Sequence, residues 1–254
     1  MTQVQVLDRT FDILERLAGA GQDVGVSELH ADLGLPLGTL HRLLENLVRR
    51  GYAAQDPQTR RYGPGPKLLE IGALALVSTR FDLHRIVRQQ LEALTASTGE
   101  TSNLVVPQGN DGVYLDQVAS PHLVRMFTEI GRRAPLYCTG AGKAILSGMS
   151  PEWIDAYLER VKLETWTPQT PTSSETLRAD IAEARLRGYA LDNEERELGV
   201  RCVAAPIFDV TGRCLGAISI SGPTTRVTPQ VVDEIGPQVR QAARICSAQL
   251  GYRA

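Results

Sequence analysis

Between Leu37 and Arg50 the chain reads LGTLHRLLENLVRR. Leu40, Leu43, Leu44 and Leu47 recur at i, i+3, i+4 and i+7, the spacing of one buried helical stripe. The other face carries Thr39, His41, Arg42, Glu45, Asn46 and Arg49, groups that can hydrogen-bond to base edges and phosphates. A second set lies far downstream in AISISGP, where Ala217, Ser219 and Ser221 alternate with Ile218 and Ile220, so a strand there presents hydroxyls on one face. Hydroxyls donate to an anion without adding a formal charge that must stay buried when a site is empty. The same alternation also describes the solvated side of an edge strand. A third candidate is TGAGKA, where Gly140 and Ala141 open a helix and leave N–H groups free to meet a carboxylate at the favourable end of the dipole. A plain tight turn is the alternative. It is not a phosphate loop: Tyr137 stands where a Walker motif needs its first glycine, Ala144 where it needs Ser or Thr, and Ile145 where GxGxxG needs its third glycine.

The elements that position the first set begin upstream. Leu7, Phe11 and Leu14, widened by Ile13 and Leu17, predict a helix over about Val6 to Ala18, ended by Gly19 and Gly21. VSELHADLGLPLGTLHRLLENL, Val26 to Leu47, then reads as a short helix, a Gly-Leu-Pro turn and a second helix. Ser27 is the expected N-cap, Gly34 the left-handed stop, and Pro36 suits the first turn of the next helix. On its own this is either a helix-turn-helix with an exposed recognition helix or an ordinary hairpin in a core. The following YAAQDPQTRRY reads as two short strands around Asp56-Pro57, with Arg60 and Arg61 on the return strand, which makes a wing. Charge favours the DNA reading. From Met1 to Leu35 two arginines face six acids, whereas from Pro36 to Lys67 Arg42, Arg49, Arg50, Arg60, Arg61 and Lys67 face only Glu45 and Asp56.

The totals set the frame. A chain of 254 residues, 43% hydrophobic and 22% charged, is long enough for two domains, and a net charge of -2 argues against coating nucleic acid over the whole surface. Cys138, Cys202, Cys214 and Cys246 have no CxxC spacing and His30, His41, His84 and His122 are scattered singly, so no metal, cofactor or disulfide framework is expected. The amphipathic, acidic N-terminus lacks the blocks of a signal peptide, and no apolar run reaches membrane-spanning length, so a cytoplasmic protein without membrane contact is expected.

GPGPKLLEIGALALVST becomes an apolar helix, either a linker packing on a second copy of itself or part of one monomer's core. Leu83, Ile86, Val87, Leu91 and Leu94 mark a long amphipathic helix ending near Gly99. TSNLVVPQ, GVYLDQVA and LVRMFTEI read as three strands. Helices are expected from about Gly140 to Met149, from Pro151, and from about Glu175 to Arg187 behind Ser173 or Ser174. YALDNEE, CVAAPIFD and CLGAISISG supply further strands, and Pro229 to Leu250 a closing helix. Strands mainly linked by hairpins, interspersed with helices, give an α+β sensory domain.

The winged helix with LPLGTLHRLLENL, the segment LYCTGAGKAILS, the run GYALDNEERELGVRCVAAPIFD and the strand LGAISISGP, in this order and spacing, resemble the IclR (isocitrate lyase regulator) family of bacterial transcription factors over nearly the whole chain. The resemblance implies a winged helix-turn-helix DNA-binding domain (1–67), a linker helix (68–80) and a GAF-like (profilin-like) effector-binding domain (81–254). It implies a homodimer or dimer of dimers on double-stranded operator DNA of a metabolic or catabolic operon. The implied effector is a small carboxylate: a 2-oxo, hydroxy or aromatic acid. Ser219, Ser221, Gly140, Ala141, Asp192 and Cys202 match family positions that line the effector pocket, although a cysteine is more often core than contact. Leu123, Met126, Ala134 and Val200 fall where the family places the apolar wall. On the DNA side, Thr39, His41, Arg42, Asn46 and Arg49 would meet the major groove, and Arg60 and Arg61 flanking phosphate or minor groove.

Two rivals belong to other classes. A small-molecule hydrolase or transferase with a helical oligomerisation module needs a nucleophile beside a base, and the chain offers no GxSxG and no HExxH. A protein-interaction adaptor leaves the basic helix and wing without a purpose.

Overall fold

The periodic leucines of the N-terminal third fold as helices. In the computed structural model, which describes residues 5–77 and 82–253, α1 (Gln5–Ala18), α2 (Val26–Leu33) and α3 (Leu37–Arg49) precede β1 (Ala53–Gln55), β2 (Tyr62–Pro64) and α4 (Pro66–Val77). They belong to the first of two compact units, Met1–Phe81 and Asp82–Ala254. Leu40, Leu43, Leu44 and Leu47 of α3 are buried against Leu29, Ile13 and Leu17, each worth roughly 1.5–3 kcal/mol of burial. In α1, Ile13 and Leu17 face this core, whereas Leu7 and Phe11, expected in the same stripe, remain exposed. The two sets lie on different faces of one helical turn.

The turn residues act as backbone geometry requires, with two corrections. Gly34 takes φ 64° and ends α2, its N–H donating to the His30 carbonyl. Ser27 is not the N-cap, because α2 starts two residues earlier than that cap requires, at Val26 behind Gly25, whose carbonyl accepts from the N–H groups of Glu28 and Leu29. Pro36 occupies the N-cap of α3 rather than its first turn. β1 and β2 form the expected hairpin, with Ala53 opposite Pro64, but Arg60 and Arg61 precede β2 and sit in its turn. Arg60 is left-handed there, at φ 58°. The turn is fastened by Asp56, whose Oδ1 accepts from the N–H groups of Gln58 and Thr59. Val24, between α1 and α2, exchanges two backbone hydrogen bonds with Tyr62 at 2.7 and 2.8 Å, adding a third chain segment to the wing.

α4 is apolar as expected, and its Leu69 and Ile71 are exposed. The linker expected over 68–80 extends past Val77, and residues 78–80 lie outside the described residues.

The second unit is built on a six-stranded antiparallel sheet. Its elements are α5 (Asp82–Thr98), β3 (Thr101–Gln108), β4 (Asp111–Val118), β5 (Arg133–Pro135), α6 (Gly140–Ser147), α7 (Pro151–Arg160), α8 (Ser174–Arg187), β6 (Ala190–Asn193), β7 (Val200–Phe208), β8 (Cys214–Pro223) and α9 (Pro229–Gln249). The strand order is β5-β4-β3-β8-β7-β6. α5 and α9 cover one face through Leu91, Leu94, Val239 and Ala243, and α6, α7 and α8 cover the other through Ile145, Tyr157 and Ile181. The helix starts follow capping chemistry: Thr139, Ser150, Ser173 and Thr228 each accept a backbone N–H at the head of α6, α7, α8 and α9. α6 stops at Ser147, short of Met149.

One expected strand is absent. LVRMFTEI, residues 123–130, is irregular, and Arg133–Pro135 pairs with β4 in its stead. Period-2 alternation marks extended chain, and only a ladder partner makes it a strand. The irregular segment is held by side chains: the Thr101 hydroxyl donates to the Met126 carbonyl at 3.1 Å and Arg226 to the Val124 carbonyl at 2.9 Å.

Candidate functional site

The α3 face expected to meet DNA is largely outward: His41, Arg42, Glu45, Asn46 and Arg49 are exposed and Thr39 is half-buried. Asn46 is held along its own helix, its amide donating to the Arg42 carbonyl at 2.8 Å while its oxygen accepts from Arg49 at 2.6 Å. Arg42 is therefore one turn from a pre-ordered Asn46–Arg49 pair. Arg60 is exposed at the tip of the wing. Arg61 is turned the other way. Its Nε donates to the Asp23 carbonyl and its Nη2 to Glu28 Oε2, both at 2.9 Å. The side chain thus ties the wing to α2.

In the second unit the sheet register assembles the other predicted set. Asp192 of β6 stands opposite Cys202 of β7, Cys202 opposite Ser221 of β8, and Ser221 opposite Thr101 of β3. One pleat further, Ala204, Ser219, Asn103 and Gln117 form a parallel row across β7, β8, β3 and β4. β8 lies between β3 and β7, so its serines are not the wet side of an edge strand, and Ser219 and Ser221 are buried. α6 closes over these rows. A Cβ on Gly140 would stand 2.8 Å from Cys202 Sγ and 2.9 Å from the Cys202 carbonyl oxygen, so only glycine lets the helix start come this close.

The groups at this contact are chemically tuned. Burial, and after it the charge of Asp192, pushes the Cys202 thiol up to about 11, partly offset by hydrogen bonding from the Ser221 and Ser219 hydroxyls and the Ala141 N–H. Burial, with help from the charge of Glu195, raises the Asp192 carboxyl to about 7, although its Oδ1 accepts the Glu195 N–H at 2.8 Å. Burial raises Tyr114 as well, with Cys202 and Asp192 among its neighbours. Behind α6, the buried Lys143 ammonium donates to Glu195 Oε1 at 2.6 Å and Asp180 Oδ2 at 3.0 Å. Burial alone would lower its pKa, and the two carboxylates outweigh that and hold it charged.

Two predicted wall residues are not in this assembly. Leu123 is 99% exposed and lies in the irregular segment, and Met126 is half-buried in the same segment, where its carbonyl accepts from the Thr101 hydroxyl. Ala134 and Val200 are half-buried. Asn103, Gln117, Thr101, Tyr114 and the Lys143–Glu195 pair were missed by sequence reasoning. The sequence carried no alternation to mark Thr101 and Asn103, because Ser102 between them is polar as well and only the sheet register puts the two on one face.

Family models match both units: residues 6–57 fit an IclR helix-turn-helix domain and residues 75–248 the C-terminal region of bacterial transcriptional regulator IclR. The chain is 34% identical to the HTH-type transcriptional regulator XynR of Escherichia coli over 254 residues, all of both chains. It is 38% identical to the transcriptional repressor IclR of Escherichia coli over 244 residues, 95% of this chain and 88% of that one. The crystal structure of the Thermotoga maritima IclR superposes with a TM-score of 0.80 at 32% identity, covering 98% of this chain and all of the other. With matches of this length in both units, the chain belongs to the IclR family of bacterial transcriptional regulators, DNA-binding proteins and not enzymes.

Proposed function

We propose that this regulator senses a small organic acid at the contact between α6 and the β7–β8 serines, and that the acid changes its affinity for operator DNA of a metabolic or catabolic operon. The observation that carries the reading is the placing of Asp192, Ser219 and Ser221 in neighbouring buried rows around Cys202, under the start of α6 where Gly140 meets that cysteine. A carboxylate there gains hydroxyl and backbone donors and the positive end of α6. The protein acts in the cytoplasm as a homodimer or dimer of dimers. Thr39, His41, Arg42, Asn46 and Arg49 enter successive major grooves, Arg60 reaches flanking phosphate, and Arg61 steadies the wing.

The test is calorimetry of the full chain against a panel that includes glyoxylate, pyruvate, lactate and benzoate, paired with mobility shifts on the promoter DNA beside its own gene. Combined Ser219→Ala and Ser221→Ala should cost roughly 1–3 kcal/mol of acid affinity per lost hydrogen bond. Full-strength binding by that variant would refute the placement.

A further inference from the structure

Strand β4 touches the acid-binding rows with one residue and α5 with the next. Gln117 faces the rows: its Nε2 donates to Asn103 Oδ1 at 3.0 Å, and Asn103 Nδ2 donates to Ser219 Oγ at 3.4 Å. Asn103 is fully buried, and its bond to Ser219 is long, a contact that a better acceptor displaces. Asp116 projects to the opposite face. There Arg88 of α5 donates through one nitrogen, Nη1, to Asp116 Oδ1 at 3.0 Å and to the Gln117 carbonyl at 3.3 Å, and His84 Nε2 lies 3.0 Å from Asp116 Oδ2. The Gln117 N–H closes the arrangement on Asp116 Oδ1 at 2.8 Å. The β3–β4 register also shifts at this place: Leu104 pairs with Asp116 and Val105 with Tyr114, so Leu115 is the extra residue of a bulge. A bulge is where a strand can change its set locally without breaking the ladder on either side.

We propose that Asn103 and Gln117 are part of the acid-binding site and that Arg88 is a positioning residue that passes the state of that site to α5. This rests on the acid reading above and extends it. An acid oxygen at Ser219 offers Asn103 Nδ2 a charged acceptor, so the amide turns to the ligand and Gln117 loses or reorients its partner. Because Gln117 and Asp116 are consecutive, any change in the set of one peptide reaches the oxygens that Arg88 holds. Arg88 grips the carboxylate and the carbonyl together, so it reads this peptide as a unit. α5 opens the second unit and is its element nearest in sequence to α4, so its first turns are where the state of the acid site comes nearest along the chain to the DNA-binding unit. Coupling requires that the two settings of β4 differ in affinity both for the acid and, through α5, for the operator.

The test has one arm that needs no ligand. Amide hydrogen exchange of residues 84–92 is compared in the full chain for wild type, Ser219→Ala and Gln117→Leu; the relay predicts several-fold faster exchange in both variants, and exchange identical to wild type overturns it. The second arm uses the acid of the panel above that gives the largest heat. Asn103→Ala should weaken its binding at least fivefold. Arg88→Ala should bind it within twofold of wild type yet lose its effect on operator affinity, and Arg88→Lys, which keeps the charge but not the Nε that fixes the side chain on Glu92 at 2.8 Å, should fall between. An Arg88→Ala protein that still responds in full overturns the relay and leaves the acid site standing. One that no longer binds acid makes Arg88 a support of the site and overturns it too. Loss of neither binding nor response in the Ser219/Ser221 variant would instead sink the acid reading.

Discussion

Asp192 shows how much one buried carboxyl can decide. Burial holds it near 7, far above an ordinary carboxyl, so it exchanges its proton around neutral pH. An acid anion arriving beside it prefers the protonated form, so binding lifts its pKa further and takes up a proton. The sign follows: affinity is level below about pH 6 and falls as pH rises through 7, approaching tenfold per unit until the pKa of the complex is passed. Calorimetry in buffers of different ionisation enthalpy should show uptake, and Asp192→Asn should flatten the profile. A wild-type affinity that rises with pH would refute this role. Gly140 sets the opposite kind of constraint. Gly140→Ala places a methyl against both sulfur and backbone of Cys202, so α6 must move. The expected cost is about 1–3 kcal/mol in urea unfolding together with loss of acid binding.

At the scale of elements, α6 is held by ion pairs that cannot be halved. Lys143→Met leaves Glu195 buried without its cation, which should cost about 3–5 kcal/mol, and adding Glu195→Gln should recover part of it. The wing behaves differently. Arg60→Ala should flatten the log-log salt dependence of operator binding by about one unit, whereas Arg61→Ala should leave the slope alone and lower the stability of the first unit. The stripe of α3 was legible in the sequence because its period is local. The engagement of Arg61 was not, since Glu28 and Asp23 lie 33 and 38 residues away in the chain. LVRMFTEI misled for the related reason that its alternation carries no information about a partner strand. The serines of β8 were visible, but the amides that complete their row come from β3 and β4, and only the register of the sheet places Asn103 beside Ser219.

At the scale of the molecule, the second unit has a core on each face of its sheet, so residues 82–254 expressed alone should unfold cooperatively and bind the acid within about twofold of the full chain. The paired backbone bonds between Val24 and Tyr62, with Arg61 reaching Asp23 and Glu28, join the wing to the turn before α2 and to α2, and the core shared by Leu29, Tyr62, Leu40 and Leu44 adds α3 to them. A reading head that does not flex internally cannot be retuned to different bases by a distant ligand. On the function proposed above, the vocabulary of the operator is therefore constant, and what an acid would edit is its punctuation. Selection of DNA from a random pool, with and without the acid, should return the same half-sites and differ only in the gap between them.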